Sequence, residues 1–288
     1  MISYKEMSLY FSYNWKNMSL KRKFFLNYLP IKLFLEKWEV PNSIETKYLF
    51  IQSMTRKDYD EFNKLVFNSL DLDAKTHIKI SKIKKFNIDF SSIKLNQLLL
   101  IWKDIDSSNF FERVFIFLSI VKIVSIQKYL NTYKVKNIIT HADMQPVENF
   151  IVQFFKEKKL KTVTLQHGLY IDYSKYPNIN EVNYKNIVSD YFLAWGEETK
   201  ELVTKYHPQC KVLICGNPVI ENNNERKMSE EFFAVVFDQE IFKEYNERLI
   251  NIAKQISDAF GLRILLRPHP SNNLSEYRMH NIEFIKGE

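Results

Sequence analysis

Short apolar runs alternate with amphipathic stretches through the second half of the chain, a rhythm that predicts strands joined by helices. The runs predict strands at residues 137–140, 162–166, 191–195 and 211–215. One intervening helix is expected to begin near Pro146, since proline is well suited to the first turn of a helix. Short apolar strands that alternate with helices indicate an α/β protein with a parallel sheet.

The first 130 residues follow a different pattern, mainly helical and irregular, with one predicted strand at residues 48–52. The most apolar window, residues 114–121, ends at Lys122 and is shorter than the roughly 20 residues that span a membrane. It predicts a buried helix, with a peripheral membrane contact as the alternative. The basic, aromatic stretch 21–38 could lie on a bilayer surface, but Pro30 interrupts it and favours a pair of helices that face the core.

A polar break at residues 221–227 divides the chain into two Rossmann-like domains, residues 1–220 with a helical first part and residues 228–288. The predicted elements of the second domain are a strand at 232–237, a helix at 241–260 capped by Gly261 and a strand at 263–266. Doubly wound domains usually need roughly 100 residues or more. We therefore expect the second domain to be incomplete in this chain or to be completed elsewhere.

Composition favours a folded protein of a reducing compartment. Of the 288 residues, 45% are hydrophobic and 15% aromatic, which is enough for packed cores. The two cysteines, Cys210 and Cys215, have no metal-ligand pattern around them, which favours free thiols over a disulfide or a zinc site. Residues 1–16 lack the apolar core of a secretory signal. We expect a cytoplasmic protein, with peripheral attachment to the inner face of the cell membrane as the alternative.

The formal net charge of +7 favours anionic partners. A phosphorylated donor, an anionic membrane surface and nucleic acid are three such partners. No basic stretch carries a zinc-finger, RRM or helix-turn-helix pattern, so the sequence predicts no nucleic-acid binding. The alternative for each single lysine is an ordinary solvated position.

Glycine is scarce, and three of the 5 glycines follow predicted strands: Gly168, Gly196 and Gly216. A chain this poor in glycine is expected to place each one where the backbone takes a positive φ or is closely approached. Ligands of parallel sheets bind outside the carboxyl ends of the strands, where these glycines fall. We therefore expect Gln166, Gly168 and Gly196 to shape a cleft. Gly216 and Asn217 are assigned to donor phosphate binding, with a turn that leaves the first domain as the alternative.

Two histidines carry the candidate chemistry. His167 follows a predicted strand, and an imidazole at such a position can take a proton from an acceptor hydroxyl. His269 stands between Pro268 and Pro270, which hold the loop extended, and it can contact a phosphate or protonate a leaving group. Arg267, two residues earlier, adds a permanent cation. The alternatives are a histidine bonded to backbone at a tight turn and a rigid, exposed loop.

His141 and Asp143 end the first of the four strands, on the same edge as His167. Asp143 could orient the imidazole of His167, as a carboxylate does in a catalytic triad. It could equally cap the helix near Pro146. His207 lies at a predicted helix end and is expected to be a cap rather than a catalyst. No HExxH or paired-cysteine signature appears, and the sequence predicts no metal site.

Four motifs stand in order along the second half of the chain: Gln166-His167-Gly168, Gly196 after its strand, Gly216-Asn217-Pro218 and Arg267-Pro268-His269-Pro270. This set resembles the GT-B glycosyltransferases of bacterial surface polysaccharide synthesis. That group includes capsule proteins, polysialyltransferase-like enzymes and CDP-glycerol glycerophosphotransferases. The resemblance covers residues 137–288, and the preceding part would correspond to a variable acceptor domain.

The resemblance implies a two-domain α/β cleft enzyme of GT-B type that needs neither a metal nor another cofactor. His167 would be the acceptor-side base, and His269 would contact the donor phosphate from the other side of the cleft. Enzymes of this family carry a serine-rich donor-binding segment after the His–Pro motif, and the sequence ends before one. This departure concerns the segment that would bind the donor, and therefore whether this chain is active by itself.

The function that follows is transfer of a sugar or polyol phosphate from a nucleotide donor to a glycan or lipid-linked acceptor, in capsule or cell-wall assembly. The donor nucleotide, CMP, CDP or UDP, is undecided. One alternative is a nucleotide-sugar epimerase of the same fold, which would need several acidic residues that the motif loops lack. Another is a non-catalytic binding module. The glycine loops of P-loop NTPases and dinucleotide enzymes are absent, which disfavours both of those classes.

Overall fold

The computed structural model describes residues 2–16, 18, 36–54, 56–70, 72–84, 93–172, 179–218, 232–237, 243–269, 272 and 283–284. The chain divides into two compact units, Met1–Glu221 and Asn222–Glu288. Each unit is built round its own parallel sheet and is described by itself.

The first unit contains eight described strands. They are β1 Glu36–Glu39, β2 Tyr48–Gln52, β3 Lys75–Lys79, β4 Ser81–Lys84, β5 Asn137–Thr140, β6 Lys161–Leu165, β7 Tyr191–Ala194 and β8 Lys211–Ile214. Six of them form one sheet in the order β3-β2-β5-β6-β7-β8, and each neighbouring pair is parallel. The other two, β1 and β4, pair antiparallel with each other. The predicted α/β class with a parallel sheet is confirmed.

All five strands predicted for this unit are observed within one residue of their predicted ends. The prediction of a single strand in the first 130 residues is wrong, because β3 also joins the parallel sheet. Its sequence, Lys-Thr-His-Ile-Lys, has no apolar run, and only Ile78 is buried. An edge strand has one neighbour and more contact with water, so it does not need the continuous apolar sequence of a central strand.

Helices cover both faces of this sheet. The described helices of the first unit are α1 Lys5–Lys16, α2 Lys57–Ser69, α3 Leu95–Asp104, α4 Phe110–Val124, α5 Gln127–Leu130, α6 Pro146–Glu157, α7 Val182–Lys185 and α8 Glu197–Tyr206. Alternate residues of a strand point to opposite faces. In β2, Leu49 and Ile51 belong to a large core with α4 and α6, while Phe50 packs in a smaller core with Phe62 of α2.

The apolar window 114–121 lies within α4, and Ile116, Ile120 and Val121 are buried in the large core. The prediction of a buried helix is therefore confirmed. Within the described ranges, no helix is both long and apolar enough to cross a membrane. Of the basic stretch 21–38, only residues 36–38 are described, so its predicted helical pair lies outside the described residues.

Both cysteines are free thiols, as predicted, with Cys210 buried and Cys215 exposed. Burial raises the pKa of the Cys210 thiol to about 12. This thiol therefore stays protonated and unreactive at neutral pH, since the thiolate is the reactive form.

The second unit opens with the strand–helix–strand order that the sequence predicts. Its elements are β9 Phe232–Val236, α9 Lys243–Phe260, β10 Arg263–Arg267 and β11 Glu283–Phe284. The strands are parallel in the order β11-β10-β9. Gly261 ends α9 at a φ of 66°, the left-handed conformation expected of a glycine cap. The small core contains Val235, Phe237, Ile250, Ala253, Ile264 and Leu266.

Candidate functional site

The candidate site of the first unit lies at the carboxyl ends of three neighbouring strands. Strands β2, β5 and β6 are adjacent and parallel, so the loops that follow them meet at one edge of the sheet. His141 follows β5 directly, and His167 is the second residue after β6. The sequence placed both residues on this edge, and the structure brings their rings to a centroid distance of 5.5 Å.

Two tyrosines complete an aromatic group round these histidines. The ring of Tyr59, from the first turn of α2, lies 4.8 Å from that of His141 and 5.9 Å from that of His167, between centroids. The ring of Tyr170 lies 5.6 Å from that of His167. We call these four residues, Tyr59, His141, His167 and Tyr170, the histidine cluster.

His141 is fully buried and is held neutral. Its Nδ1 atom lies 2.8 Å from Oδ1 of Asn63 on α2, which fits an Nδ1–H that donates to the amide oxygen. Its Nε2 atom has no hydrogen-bond partner among the described residues. Burial, and secondly the neighbouring His167, lower the pKa of His141 to about 3. The imidazole is therefore uncharged at physiological pH.

His167 is half-buried and is paired with a hydroxyl rather than a carboxylate. The Tyr170 hydroxyl lies 3.0 Å from Nδ1 of His167. Burial, and then the charge of Arg56, lower the pKa of His167 to about 4. Burial raises the pKa of Tyr170 well above its usual range, so this hydroxyl keeps its proton. The pair is neutral at pH 7.

Arg56 brings a cation to the rim of the histidine cluster. Its guanidinium lies 4.1 Å from the centroid of the Tyr59 ring, and it donates to the Tyr59 hydroxyl at 3.1 Å. It also forms an ion pair with Asp58, in which both side chains are 55% exposed. The sequence analysis missed Arg56. Its position four residues after β2, on the ligand-binding edge of a parallel sheet, is the signal that could have identified it.

Asp143 does not orient His167, and this prediction is wrong. Its Oδ2 atom accepts hydrogen bonds from the backbone N–H groups of Val188 at 2.9 Å and Ser189 at 2.7 Å. Its carboxyl is buried, and burial raises its pKa. The physical reason is that two buried N–H groups before β7 need an acceptor, and this carboxyl supplies one. The hydrogen-bond partner of His167 is Tyr170 instead.

The alternative, that Asp143 caps the helix near Pro146, is also not observed. Helix α6 begins at Pro146 as predicted, but its N-cap residue is Gln145, which makes no side-chain cap bond. The backbone N–H of Asp143 donates to Oγ1 of Thr164 in β6 at 3.0 Å. Asp143 therefore fastens the loop after β5 to the neighbouring strand and to the segment before β7.

A second buried carboxyl, Glu148, lies in the first turn of α6 and was missed by the sequence analysis. It accepts a hydrogen bond from the backbone N–H of Ser53 at 2.6 Å and another from the Ser53 hydroxyl at 2.5 Å. Burial raises the pKa of Glu148 to about 7, although both Ser53 bonds act in the opposite direction. A glutamate in a first helical turn usually indicates only a favourable dipole interaction, so the sequence carried no signal of burial.

Gln166 ties two of the loops on this edge together. Its amide Nε2 donates to the carbonyl oxygen of Gly168 at 2.8 Å, and its Oε1 accepts from the backbone N–H of Trp195 at 2.7 Å. The loop after β6, which carries His167, is thereby joined to the loop after β7. A role of Gln166 in shaping a cleft stays a prediction.

The glycines only partly follow the expectation of a positive φ or a close approach. Gly216 takes a φ of 77° directly after β8, as expected. Gly168 and Gly196 do not have a positive φ, and no heavy atom lies within 4 Å of where a Cβ would be, beyond their chain neighbours. For these two residues the expectation of a positive φ is wrong, while the close approach of a ligand to their backbone stays a prediction.

The donor-side residues lie in the second unit or at the end of the first. Arg267 ends β10, and its carbonyl oxygen accepts from the backbone N–H of Phe237 at 3.0 Å. His269 and Asn272 form a tight turn, in which the His269 N–H donates to the Asn272 side chain at 2.7 Å. Asn217 is half-buried after Gly216. Their roles in donor binding, and the facing of His167 and His269 across a cleft, stay predictions.

The similarities to known proteins lie among solved structures. No protein-family model matches the chain, and no curated protein matches it in sequence. Among solved structures, it is similar to the UDP-GlcNAc 2-epimerase of Methanocaldococcus jannaschii, with a TM-score of 0.43 and 14% identity over 83% of this chain and 73% of that one. The same enzyme in complex with UDP-GlcNAc and UDP gives the same values. The UDP-N-acetylglucosamine 2-epimerase of Rickettsia bellii gives a TM-score of 0.42 and 15% identity, over 84% and 69%. A likeness at this level carries no conclusion about function.

Proposed function

We propose that this chain belongs to an enzyme of GT-B type that processes a nucleotide-activated sugar, and that it transfers the sugar, or a polyol phosphate, to a hydroxyl acceptor. The observation that carries the proposal is the half-buried, neutral imidazole of His167 at the carboxyl edge of a parallel sheet, paired with Tyr170 and lying near Arg56. Parallel sheets bind their ligands at this edge. A neutral imidazole there can accept a proton.

The pairing with Tyr170 occupies Nδ1 of His167 and leaves Nε2 for an acceptor hydroxyl. If Nδ1 of His167 carries the ring proton and donates it to the Tyr170 oxygen, Nε2 is left unprotonated and can take the proton of an acceptor hydroxyl. With a pKa of about 4, the free imidazole is a weak base. A bound diphosphate would raise that pKa, because a nearby negative charge favours the imidazolium. The base would therefore strengthen when the donor is present.

Cations would offset the charge that develops on the leaving phosphate. Arg56 is the exposed guanidinium nearest to the histidine cluster on this edge of the first unit, and Arg267 and His269 are the corresponding groups of the second unit. Arg presents donors in a geometry that matches phosphate oxygens. Gly216 and Asn217 would complete the phosphate contacts, while Gly168 and Gly196 would leave room for the ligand.

The setting we propose is assembly of capsular or cell-wall polysaccharide on the cytoplasmic side of the membrane, with a glycan or lipid-linked acceptor. The order of the motifs supports it, together with the net charge of +7, which suits phosphorylated donors and anionic lipid surfaces.

Replacement of His167 tests the proposal. In a chain that turns over a nucleotide sugar, His167→Ala should lower kcat by roughly 10²–10⁴-fold, the usual contribution of a general base. Release of CMP, CDP or UDP from a panel of nucleotide-sugar donors, with and without acceptors, is the measurement. His207→Gln is the matched control, because His207 ends α8 and bonds the Tyr184 carbonyl at 2.9 Å, as predicted for a cap. Full turnover by His167→Ala would remove the proposed role.

Epimerisation of a nucleotide sugar is a second candidate. The sequence disfavoured it for want of acidic residues, but Asp143 and Glu148 both lie buried on this edge, and Asp143 contributes to the raised pKa of Glu148. A carbon that is inverted through proton removal takes up deuterium from D₂O. Incubation of the donor panel in D₂O without acceptor distinguishes epimerisation from transfer. Deuterium in recovered donor supports epimerisation, while nucleotide release that depends on acceptor supports transfer.

A further inference from the structure

A cavity of about 390 Å³ opens on the same edge of the first unit as the histidine cluster. It lies within the size range of small-molecule sites, which is roughly 300–1,000 Å³. We call it the edge cavity. Its lining residues are Tyr10, Phe11, Trp38, Ser53, Met54, Ser81, Ile123, Gln145, Pro146 and Val147.

The edge cavity and the histidine cluster are bordered by the same two loops. The loop after β2 contributes Ser53 and Met54 to the cavity, and it leads on to Arg56 beside the cluster. The loop after β5 begins with His141 of the cluster and reaches the cavity at Gln145. A ligand held in the cavity would therefore lie at the same carboxyl edge of the sheet as His167. The cavity residues Ile123 and Val147 belong to the large core, whereas His141 packs on Phe62 of the smaller core.

The lining is aromatic and uncharged. Tyr10, Phe11 and Trp38, all half-buried, present rings to the cavity. None of the described residues that line it carries a charged side chain, although the chain has a net charge of +7. The histidine cluster, by contrast, has Arg56 and Asp58 at its rim. The edge cavity therefore suits a neutral ligand better than a phosphate or a carboxylate.

Polar groups are fixed at one end of the edge cavity. The Ser53 hydroxyl donates to Glu148, so its oxygen keeps lone pairs that can accept a hydrogen bond. The side-chain amide of Gln145, which is 8% exposed, donates one N–H to Sδ of Met144 at 3.1 Å and has a second N–H and a carbonyl oxygen besides. Burial raises the pKa of Tyr10, whose hydroxyl therefore stays protonated and can donate. A few fixed polar groups beside apolar rings are the usual arrangement of a site that binds an amphipathic small molecule.

We propose that the edge cavity binds an uncharged sugar ring, namely the terminal residue of the acceptor glycan. A pyranose has an apolar face that can pack on Trp38, Phe11 or Tyr10, and hydroxyls that can bond Ser53 and Gln145. The assignment of this sugar as the acceptor rests on the proposed function; the binding itself does not. The edge cavity thus selects a neutral sugar, while the rim with Arg56 is left for the charged donor.

Saturation-transfer NMR on the full chain tests the binding, with neutral probes: the methyl glycosides of glucose, galactose and mannose, N-acetylglucosamine and maltose. Glucose 6-phosphate and N-acetylneuraminic acid are the charged probes. We expect transfer to at least one neutral probe and little to the charged ones. Trp38→Ala should weaken that binding about tenfold through loss of apolar contact area. Trp102→Ala, a half-buried tryptophan that does not line the cavity, is the matched control and should leave binding unchanged.

Because Trp38→Ala could disturb folding, Met54→Trp is a second variant, which should fill the cavity and abolish binding without removing core contacts. Absence of transfer to every neutral probe, or stronger binding of the charged probes, would overturn the proposal. Equal binding by wild type and Met54→Trp would do so too. Release of CMP, CDP or UDP from the panel of nucleotide-sugar donors is measured in parallel. Sugar binding without nucleotide release would overturn the proposed function alone, and nucleotide release without sugar binding in the cavity would overturn this inference alone.

Discussion

Two pairs of buried or half-buried titratable groups lie on one edge of the first unit, and burial moves the pKa values of the two pairs in opposite directions. His141 and His167 are held neutral, with pKa values lowered to about 3 and about 4. Asp143 and Glu148 have raised pKa values, that of Glu148 reaching about 7. The same physical cause, loss of water round the charged form, acts on both pairs.

The two pairs differ in how well their hydrogen-bonding capacity is satisfied. Asp143 accepts from two backbone N–H groups, and Glu148 accepts from the N–H and hydroxyl of Ser53. His141, in contrast, has one nitrogen without a partner among the described residues, and His167 is paired with the neutral Tyr170 hydroxyl rather than with a charged group. Hydrogen bonds hold the two carboxyls in the framework of the fold, whereas the imidazoles keep unused hydrogen-bonding capacity. We therefore propose a structural role for the carboxyls and a chemical role for the imidazoles.

The largest expected effect concerns the pH dependence of stability through His141. Its folded pKa of about 3 lies below the unfolded value of about 6.5, so its stabilising contribution is present above pH 6.5 and is lost as the pH falls. The loss should be about 1.4 kcal/mol per pH unit, and about 5 kcal/mol between pH 6.5 and pH 3. His141→Gln should remove this part of the slope in urea unfolding measured from pH 7 to 4.

Tyr59→Phe is the matched control for that experiment, because it keeps the ring beside both histidines and removes only a hydroxyl. It should follow the wild-type slope. Imidazole resonances of His141 that titrate near pH 6.5 in NMR would contradict the assignment of a buried, neutral ring.

Glu148 should give an effect of the opposite sign. Its folded pKa of about 7 lies above the unfolded value, so its contribution is fully present below about pH 4.5 and is lost as the pH rises through 7. The loss should reach about 3 kcal/mol. Glu148→Gln cannot ionise, and its free energy of unfolding should therefore fall less than that of the wild type between pH 4.5 and 7.5.

The exposed Glu157 at the other end of α6 offers the control, and Glu157→Gln should keep the wild-type profile. A Glu148→Gln profile parallel to that of the wild type would show that the carboxyl is ionised in the folded protein at neutral pH. The pair of carboxyls would then carry a negative charge. The contrast between two neutral imidazoles and two neutral carboxyls with opposite pKa shifts would be weaker.

Much of the framework could be predicted from the sequence because five strands of the large sheet contain short apolar runs. The runs at the inner strands β2, β5, β6 and β7, and at the edge strand β8, gave strand positions within one residue. Their parallel order places His141 and His167 on one edge, which the sequence also predicted. The edge strand β3 was missed because an edge position tolerates the polar residues Lys75, Thr76 and Lys79.

The details of the site could not be predicted, because they depend on contacts between residues far apart in the chain. Glu148 is buried against Ser53, which precedes it by 95 residues, and Asp143 is bonded to N–H groups 45 and 46 residues later. A local pattern contains no information about such partners. The same holds for Asn63, which bonds His141 across 78 residues.

The smallest of the three effects on stability, and the sharpest test of the comparison, comes from Asp143. Asp143→Ala leaves the buried N–H groups of Val188 and Ser189 without their acceptor, which should lower the free energy of unfolding by about 2 kcal/mol. Asp143→Asn keeps an acceptor oxygen at this position and should lose less. If the carboxyl is structural, as its bonds indicate, Asp143→Asn should retain most of the nucleotide-sugar turnover of the wild type. A stable Asp143→Asn protein without turnover would instead show that Asp143 has a chemical role. That result would favour epimerisation over transfer, because in epimerisation a proton must leave carbon rather than a hydroxyl.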